Sequence, residues 1–574
     1  MKSKSLKALN NYKFYIIAGP LFKVIEVIFE LCIPFIVKDI INYGIENNDT
    51  FFIITRCILM ISLGILGFCS TLICQYLASI ASQGYGTKLR DEIFIQSNKL
   101  DLSSINRFSK GYIQILITND SIYMQNALAV GIRLLIRAPI LVIGAMICSF
   151  IIDYIVGFVF LGLTLLISII LFFVIRYTSK KYTLIQKNLD FLSDKVSDNL
   201  KGNRVIRAFN QEDKEINIFK DETRKYKKKA VHVEIFNSLI NPLSFAIINV
   251  GIVLILYFTA GNFGFLSLDS GEIIALINYL NQILTALLVV SNLVIIFNKA
   301  YASKKRIDEF LNCTNQIVNG NNSCIDIDKH CLELNEVSFS FNGEEKRVLK
   351  NVSFKLDLNS SLGIIGGTGS GKSTLLNLIN RIYDNSSGEI LYFGKSLKSY
   401  DINFLKNSIS YAGQKTTLYK GSIKSNLLIG KPDASDEEII QALKDADAYS
   451  FVKKYEDGIN HEVLENGSNF SGGQKQRLSL ARALIKPCKL LVLDDCFSAL
   501  DFITENKIKN NIYNLQKNRG FALIIVSQRI SSIRDMNNII LLDKGRVVDS
   551  GNNDELLNKS ELYNQINDIQ GGNI

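Results

Sequence analysis

Apolar residues fall into six long runs over roughly the first three hundred positions, and into short strand-length runs beyond them. The long runs occupy 14–37, 51–78, 128–151, 154–176, 235–260 and 272–298. An α-helix rises 1.5 Å per residue, so about 20 apolar residues cross a hydrocarbon core of ~30 Å. Each run is long enough to be a membrane helix. The first is the most polar, because it carries Lys23, Glu26 and Glu30. The intervals between runs alternate in length. Those after the first, third and fifth are short, and the first of these is acidic (Lys38, Asp39, Glu46, Asp49). The intervals 79–127 and 177–234 are long and helical in pattern, so the membrane helices are expected to continue into water. The second holds Arg224, Lys225, Lys227, Lys228 and Lys229. Lys and Arg collect on the cytoplasmic side of membrane proteins, which puts the N-terminus, both long loops and everything after the sixth crossing in the cytoplasm. The same basic run also reads as a solvated helix face beside anionic headgroups. No small-residue cleavage site follows Lys2, Lys4 and Lys7, so no cleaved signal peptide is expected.

Lys304, Lys305 and Arg306 close the last run, and an Asn-rich stretch follows (Asn319, Asn321, Asn322). A soluble pattern starts near Leu332. The expected fold is an α-helical six-span transmembrane domain over 1–310, a linker over 311–331, and a soluble α/β domain over 332–574.

Composition narrows the reading. The chain has 574 residues, 48% apolar and 21% charged, with a formal net charge of +10. So apolar a chain is neither disordered nor collagen-like. Several of the ten Cys (Cys57, Cys69, Cys74, Cys148) sit inside apolar runs, where a thiol acts as a small hydrophobe. No CxxC or Cys/His spacing suggests zinc. The positive charge lies beside apolar runs, which makes it a topology feature and not a nucleic-acid footprint.

Residues 362–376 read LGIIGGTGSGKSTLL. An apolar strand enters Gly366-Gly367-Thr368-Gly369-Ser370-Gly371-Lys372-Ser373-Thr374, and an apolar helix leaves it. Glycines let backbone N–H groups wrap phosphates, and the helix N-terminus adds partial positive charge. Lys372 reaches for the β- and γ-phosphates of ATP, and Ser373 for Mg²⁺. In KLLVLDDCFSALD (489–501), four apolar residues precede Asp494, a strand-end carboxylate placed to hold Mg²⁺. Between the two stands NFSGGQKQR, whose Ser471, Gly472, Gly473 and Gln474 make a second anion cradle at a helix start.

With these motifs in this order the chain resembles the ATP-binding cassette (ABC) transporter family, in the half-transporter layout of its type I exporters. NFSGGQKQRLSLARAL matches the family signature, and Ser498-Ala499-Leu500-Asp501 its D-loop. The resemblance implies that Gln414 is the Q-loop residue and a third Mg²⁺ contact, and that Phe341 holds the place where an aromatic ring stacks on adenine, although Tyr is commoner there. Phe341 also reads as a strand aromatic in the core. Glu465 and Gly467 fall in the X-loop, with Leu464 where Gly is usual. The segments Ser103–Phe108 and Ile206–Asn210 resemble coupling helices, and Asp120, Gly202 and Phe209 match residues frequent in such exporters.

Two positions depart from the family. The residue after the Walker B Asp is normally Glu, which polarises the attacking water; here it is Asp495, one methylene shorter. Its carboxylate retreats by about 1.5 Å, and a misplacement of about 1 Å can cost about 100-fold in rate. The switch residue, normally His, is Gln528, which hydrogen-bonds but does not titrate. Together they predict a site that binds ATP and hydrolyses it slowly. ABC ATPase domains pair head-to-tail by resemblance, so an intact signature beside an impaired Walker site implies a heterodimer. The expected partner is a second half-transporter with Glu and His at the two positions.

The resemblance therefore implies an ATP-hydrolysing exporter in a prokaryotic plasma membrane. No motif encodes its cargo. A cavity rich in Phe, Ile and Leu suits hydrophobic drugs, lipids or peptides. Glu26, Glu30, Arg133 and Arg137 are candidate cargo contacts or residues that snorkel to the interface. A regulatory or channel-like subunit is the alternative reading.

Overall fold

The computed structural model describes residues 3–108, 110–260, 268–341 and 347–571. The chain divides into two compact units, Met1–Leu100 with Phe108–Cys313, and Asp101–Arg107 with Thr314–Ile574.

The first unit is helical. Its main helices are α1 (Lys13–Asp39), α2 (Thr50–Lys99), α3 (Ser121–Val130), α4 (Arg137–Ile152), α5 (Tyr154–Ala208), α6 (Glu212–Ser238), α7 (Ile240–Ala260) and α8 (Ser270–Leu311). A π-helical turn, Gly131–Leu135, lies between α3 and α4. Among the described residues, five helical stretches are long and apolar enough to cross a membrane: 50–99, 111–152, 154–178, 212–257 and 270–311. At 27 residues α1 has the length for a sixth, but Lys23, Glu26 and Glu30 lower its hydropathy. Large apolar side chains such as Phe51, Ile58, Phe68, Phe158 and Phe172 are exposed, as the lipid-facing surface of a bundle must be.

The acidic short loops have a local use. Asp49 caps α2 by accepting from the Phe52 N–H, Asp153 caps α5 by accepting from Ile155 and Val156, and Asp269 forms a capping box with Glu272 at α8. Such caps satisfy N–H groups that the helix itself leaves open. The two long intervals are helical, α2 running for 50 residues and α5 for 55. Asp120 is fully buried and takes hydrogen bonds from the Ser303 hydroxyl (2.9 Å) and Arg306 Nε (2.8 Å). A removed partner would leave a buried charge unanswered. Gly202 borders open space, and Phe209 is exposed.

The second unit is α/β. A four-stranded antiparallel sheet joins β1 (Leu332–Phe339), β2 (Leu349–Leu356), β4 (Ser387–Tyr392) and β5 (Lys395–Ser396) in the order β2-β1-β4-β5. A six-stranded sheet is built from β3 (Ser361–Ile365), β6 (Ile409–Ala412), β7 (Leu490–Asp494), β8 (Ala522–Val526), β9 (Asn538–Asp543) and β10 (Arg546–Gly551). Its order is β10-β9-β3-β8-β7-β6, all neighbours parallel except β9 and β10. Every residue of β3, β7 and β8 is buried, because parallel strands are covered on both faces. The two-residue period sends Leu491, Leu493, Leu523 and Ile525 into one core and Leu490, Val492, Ile524 and Val526 into the other.

The first residues after position 313 are docked rather than free. Gly320 N–H donates to the Tyr400 carbonyl (3.1 Å), and buried Arg381 donates to the carbonyls of Tyr400 (2.8 Å) and Val318 (2.6 Å).

Candidate nucleotide site

Parallel strands end at one edge of a sheet, and ligands of α/β folds bind there. Four adjacent strands do this here. β3 runs into 366–371, β6 into Gln414, β7 into Asp494 and Asp495, and β8 into Ser527 and Gln528. The register pairs Val526 with both Ile364 and Asp494, and the Asp495 N–H donates to the Val526 carbonyl at 2.9 Å. Residues more than a hundred positions apart thereby line one cleft of about 260 Å³. They are Thr368, Gly369, Gly371, Lys372, Ser373, Thr374, Gln414, Asp494, Asp495 and Gln528, with Val348 and Ser527.

The loop geometry explains its glycines. Gly369 and Gly371 have φ of 81° and 106°, in the left-handed region that disfavours a Cβ. A Cβ at Gly366 would lie 2.1 Å from the Leu542 carbonyl oxygen, whereas at Gly367 or Gly369 it would meet nothing within 4 Å. The loop is thus pinned on one side and open on the other. Helix α9 (Lys372–Ile379) starts there, and Lys372 Nζ donates to the Gly366 (2.7 Å) and Gly367 (2.8 Å) carbonyls. Ser370 buries a hydroxyl oxygen with no partner among the described residues.

Burial pushes the Asp494 carboxyl above the usual carboxylate range. The Tyr411 hydroxyl, 3.2 Å away, opposes this, the Asp495 charge adds to it, and Lys372 and the Ser373 hydroxyl oppose it. Burial also lowers Lys372, against the pull of Asp495 and Asp494. Gln414 Nε2 donates to Asp495 Oδ2 at 3.3 Å. No group of three or more His, Cys, Asp and Glu among the described residues is placed to hold a metal alone. One buried carboxylate, a hydroxyl and an amide suit Mg²⁺, which keeps water and phosphate oxygens for its other positions. Ser373, Gln414 and Asp494 would hold it, and Mg²⁺ would neutralise phosphate charge there.

The profile of the ABC transporter transmembrane region matches residues 16–287, and that of the ABC transporter matches 349–498. The ABC transporter ATP-binding protein YfiB of Bacillus subtilis is 31% identical over 99% of this chain and 98% of its own length. The chain belongs to the ABC transporter family. An ATP-dependent lipid A-core flippase of Vibrio vulnificus is 26% identical over 94% of this chain and 92% of its own. Among solved structures, a bacterial Atm1-family ABC exporter with ATP bound matches with a TM-score of 0.81 at 20% identity, covering 99% of each chain. That likeness establishes the fold: a helical transmembrane domain followed by an ABC ATPase domain.

Not every expected site residue of this ABC protein reaches the cleft. Phe341 is not among the lining residues; it stands edge-on to Phe339 (4.9 Å) and Tyr383 (5.5 Å). Ser471, Gly472, Gly473 and Gln474 also lie outside it, at the start of helix α10 (Gly472–Leu484). There Ser471 and Gln474 form a capping box. Gln476, nearly buried, ties that helix to the D-loop, with Nε2 donating to Ser498 Oγ (3.0 Å) and Oε1 accepting from the Ala499 N–H (3.0 Å). The two proposed coupling segments also differ. Asp101–Arg107 folds with the ATPase unit, where Asp101 accepts from the N–H groups of Gln316 (2.6 Å) and Ile317 (2.9 Å), and Asn106 donates to the Tyr383 hydroxyl (3.2 Å). The turn at Phe209 is bare, with Val205 61% and Phe209 71% exposed.

Sequence reasoning missed Tyr411 and Gln570. Gln570 clasps the switch loop: its Nε2 donates to the Gln528 carbonyl (2.7 Å) and its Oε1 accepts from the Ile530 N–H (2.8 Å). A single amide at the end of helix α11 (Glu561–Ile569) leaves no sequence pattern to find.

Proposed function

We propose that the chain is one half of a heterodimeric ABC exporter that uses ATP to move hydrophobic or amphipathic molecules out across a prokaryotic plasma membrane. Its own Walker site binds Mg²⁺·ATP and turns it over slowly, while its signature helix completes a competent site on the partner. The observation that carries this is the meeting of Asp495 and Gln528 with Lys372 in one cleft, while an intact signature lies outside it. A carboxylate one methylene short and an uncharged switch residue act on the same phosphate, so their costs fall on one reaction. The bare turn at Phe209 is supporting: an exposed apolar tip on a helix reaching into water is a surface for another subunit. The similarity to a lipid A-core flippase fits an amphipathic cargo. Co-expression with candidate second half-transporters, followed by co-purification and ATPase assay, tests the reading. Rapid, vanadate-sensitive ATP turnover by the purified chain alone would overturn it.

A further inference from the structure

The membrane unit holds a group of charges that does not balance. Lys23, Glu26 and Glu30 lie on α1, Arg133 in the π-helical turn, and Arg137 at the start of α4. Lys23, which is buried, pairs with Glu26 at 2.5 Å. Arg137 donates through one terminal nitrogen to both Glu30 oxygens, at 3.1 and 2.9 Å. Both carboxylates are then used. Among the described residues no carboxylate lies within 4 Å of Arg133, whose Nε is buried without a partner, as is Nε of Arg137. Lys23, Glu26 and Arg133 each lie within electrostatic reach of Cys74 on α2. Arg137 lines a cavity of about 40 Å³ between α4 and α8, with Leu141 and Val289 as apolar walls.

A guanidinium in a membrane span is costly unless an anion or water answers it. Among the described residues no side chain forms an ion pair with Arg133. The π turn that carries it is a local widening of the kind that recurs at functional sites. We infer that Arg133, with the free edge of Arg137, is a binding site for the anionic head of an amphiphile, a phosphate-type group on a hydrocarbon body. Planar guanidinium donors match phosphate oxygens, and the small cavity at Arg137 offers apolar side chains where a hydrocarbon body would begin. The charge count sets the sign: three cations against two carboxylates select an anion over an ammonium head. As a cargo site this rests on the exporter reading; as a binding site it does not need ATP.

The test uses the full chain in uncharged detergent with three probes sharing one tail: hexadecyl phosphate, hexadecanol and hexadecyltrimethylammonium. Calorimetric titration should show the phosphate binding about tenfold more tightly than the alcohol, the scale of one charge-assisted contact, and the ammonium no better than the alcohol. Arg133→Gln should remove the preference and Arg133→Lys should keep most of it, with ATP binding in the other unit as the check on folding. Equal binding of all three probes, or a preference that survives in folded Arg133→Gln, overturns the site. So does an Arg133→Gln chain that keeps the preference but sheds a co-purified second half, since its counter-ion would then be a partner carboxylate. Phosphorus per chain after detergent exchange separates two sources. A resident phospholipid stays with the unaltered chain and leaves with Arg133→Gln. A cargo amphiphile is absent at the start, binds on addition, and raises ATP turnover of the assembled pair. Binding without any stimulation or uphill movement would leave the site standing and overturn its role in cargo transport.

Discussion

The cleft and the signature helix belong to one α/β unit, yet they stand differently against the family pattern. The cleft sits where four parallel strands end, and two of its four strand-end contributions, Asp495 and Gln528, depart from the family pattern. The signature helix starts with Ser471 and Gln474 satisfying each other's backbone N–H groups, and Gln476 anchors it to the D-loop. Packing cannot explain the contrast, because β7 and β8 under the cleft are wholly buried. The framework of the cleft is kept, and on the proposed reading its two changed groups would face the terminal phosphate. That is the pattern expected if the two surfaces serve two different nucleotides.

The widest difference should come from one substitution on each side, measured in the assembled pair. A Cβ at Gly472 would meet only the Ala499 Cβ, at 3.9 Å, so Gly472→Asp fits. It also puts an acid in the first turn of α10, where a helix favours one. Loss of function then has no folding explanation and reports the anion cradle alone. A like charge facing phosphate costs several kcal/mol, so ATP turnover should fall about 100-fold. Lys372→Ala in the same chain should abolish nucleotide binding in this cleft and lower turnover only about threefold. The reverse order of effects would break the contrast.

Next comes repair. Asp495→Glu with Gln528→His should raise ATP turnover at this cleft at least tenfold in the assembled pair with the partner's Walker site disabled, given that about 1 Å of misplacement can cost about 100-fold. Asp495 has φ of 52°, a backbone that Asp tolerates better than Glu, so some of the gain will be spent on strain. No increase in single-turnover hydrolysis would mean that the slow step lies elsewhere and the two departures are neutral.

The parts of this protein that a sequence displays are those with a period or a motif. The membrane helices are legible because hydrocarbon demands about 20 apolar residues in a row, and the P-loop because phosphate demands glycine at fixed spacings. Residue 494 was read from its strand and residues 414 and 528 only through the family resemblance, and the sheet brings all three to one cleft. The rest is held by single side chains on distant backbone. Asp101 reaches Gln316 and Ile317, Arg381 reaches Val318, and Gln570 reaches Gln528 and Ile530. Such contacts repeat at no interval. Arg133 was visible as a charge in an apolar run, but only its neighbours among the described residues show that the count is uneven.

A smaller effect separates the switch loop from its support. Gln570→Ala removes two hydrogen bonds from the loop that carries Gln528, each worth about 1 kcal/mol at most at an exposed position. Amide hydrogen exchange at Ile530 should speed up about tenfold, while ATP affinity changes less than threefold. Unchanged exchange would show that β8 and Ser527 hold the loop unaided.

The smallest effect is in the pH dependence of the cleft. The Asp494 carboxyl lies above the usual range because it is buried, and the Tyr411 hydroxyl is the strongest influence holding it down. Mg²⁺ needs the ionised carboxylate, so Mg²⁺·ATP affinity is lost as pH falls through the Asp494 pKa. Tyr411→Phe removes the hydroxyl and leaves the ring, which raises that pKa further. The acid limb of affinity against pH should therefore move to higher pH, while affinity well above it stays the same. The signature side supplies an internal control. Ser471 and Gln474 carry no titrating group, so partner-site turnover should keep its acid limb in the same variant. A limb that stays in place in this cleft, or moves at both sites together, would show that Asp494 does not set it.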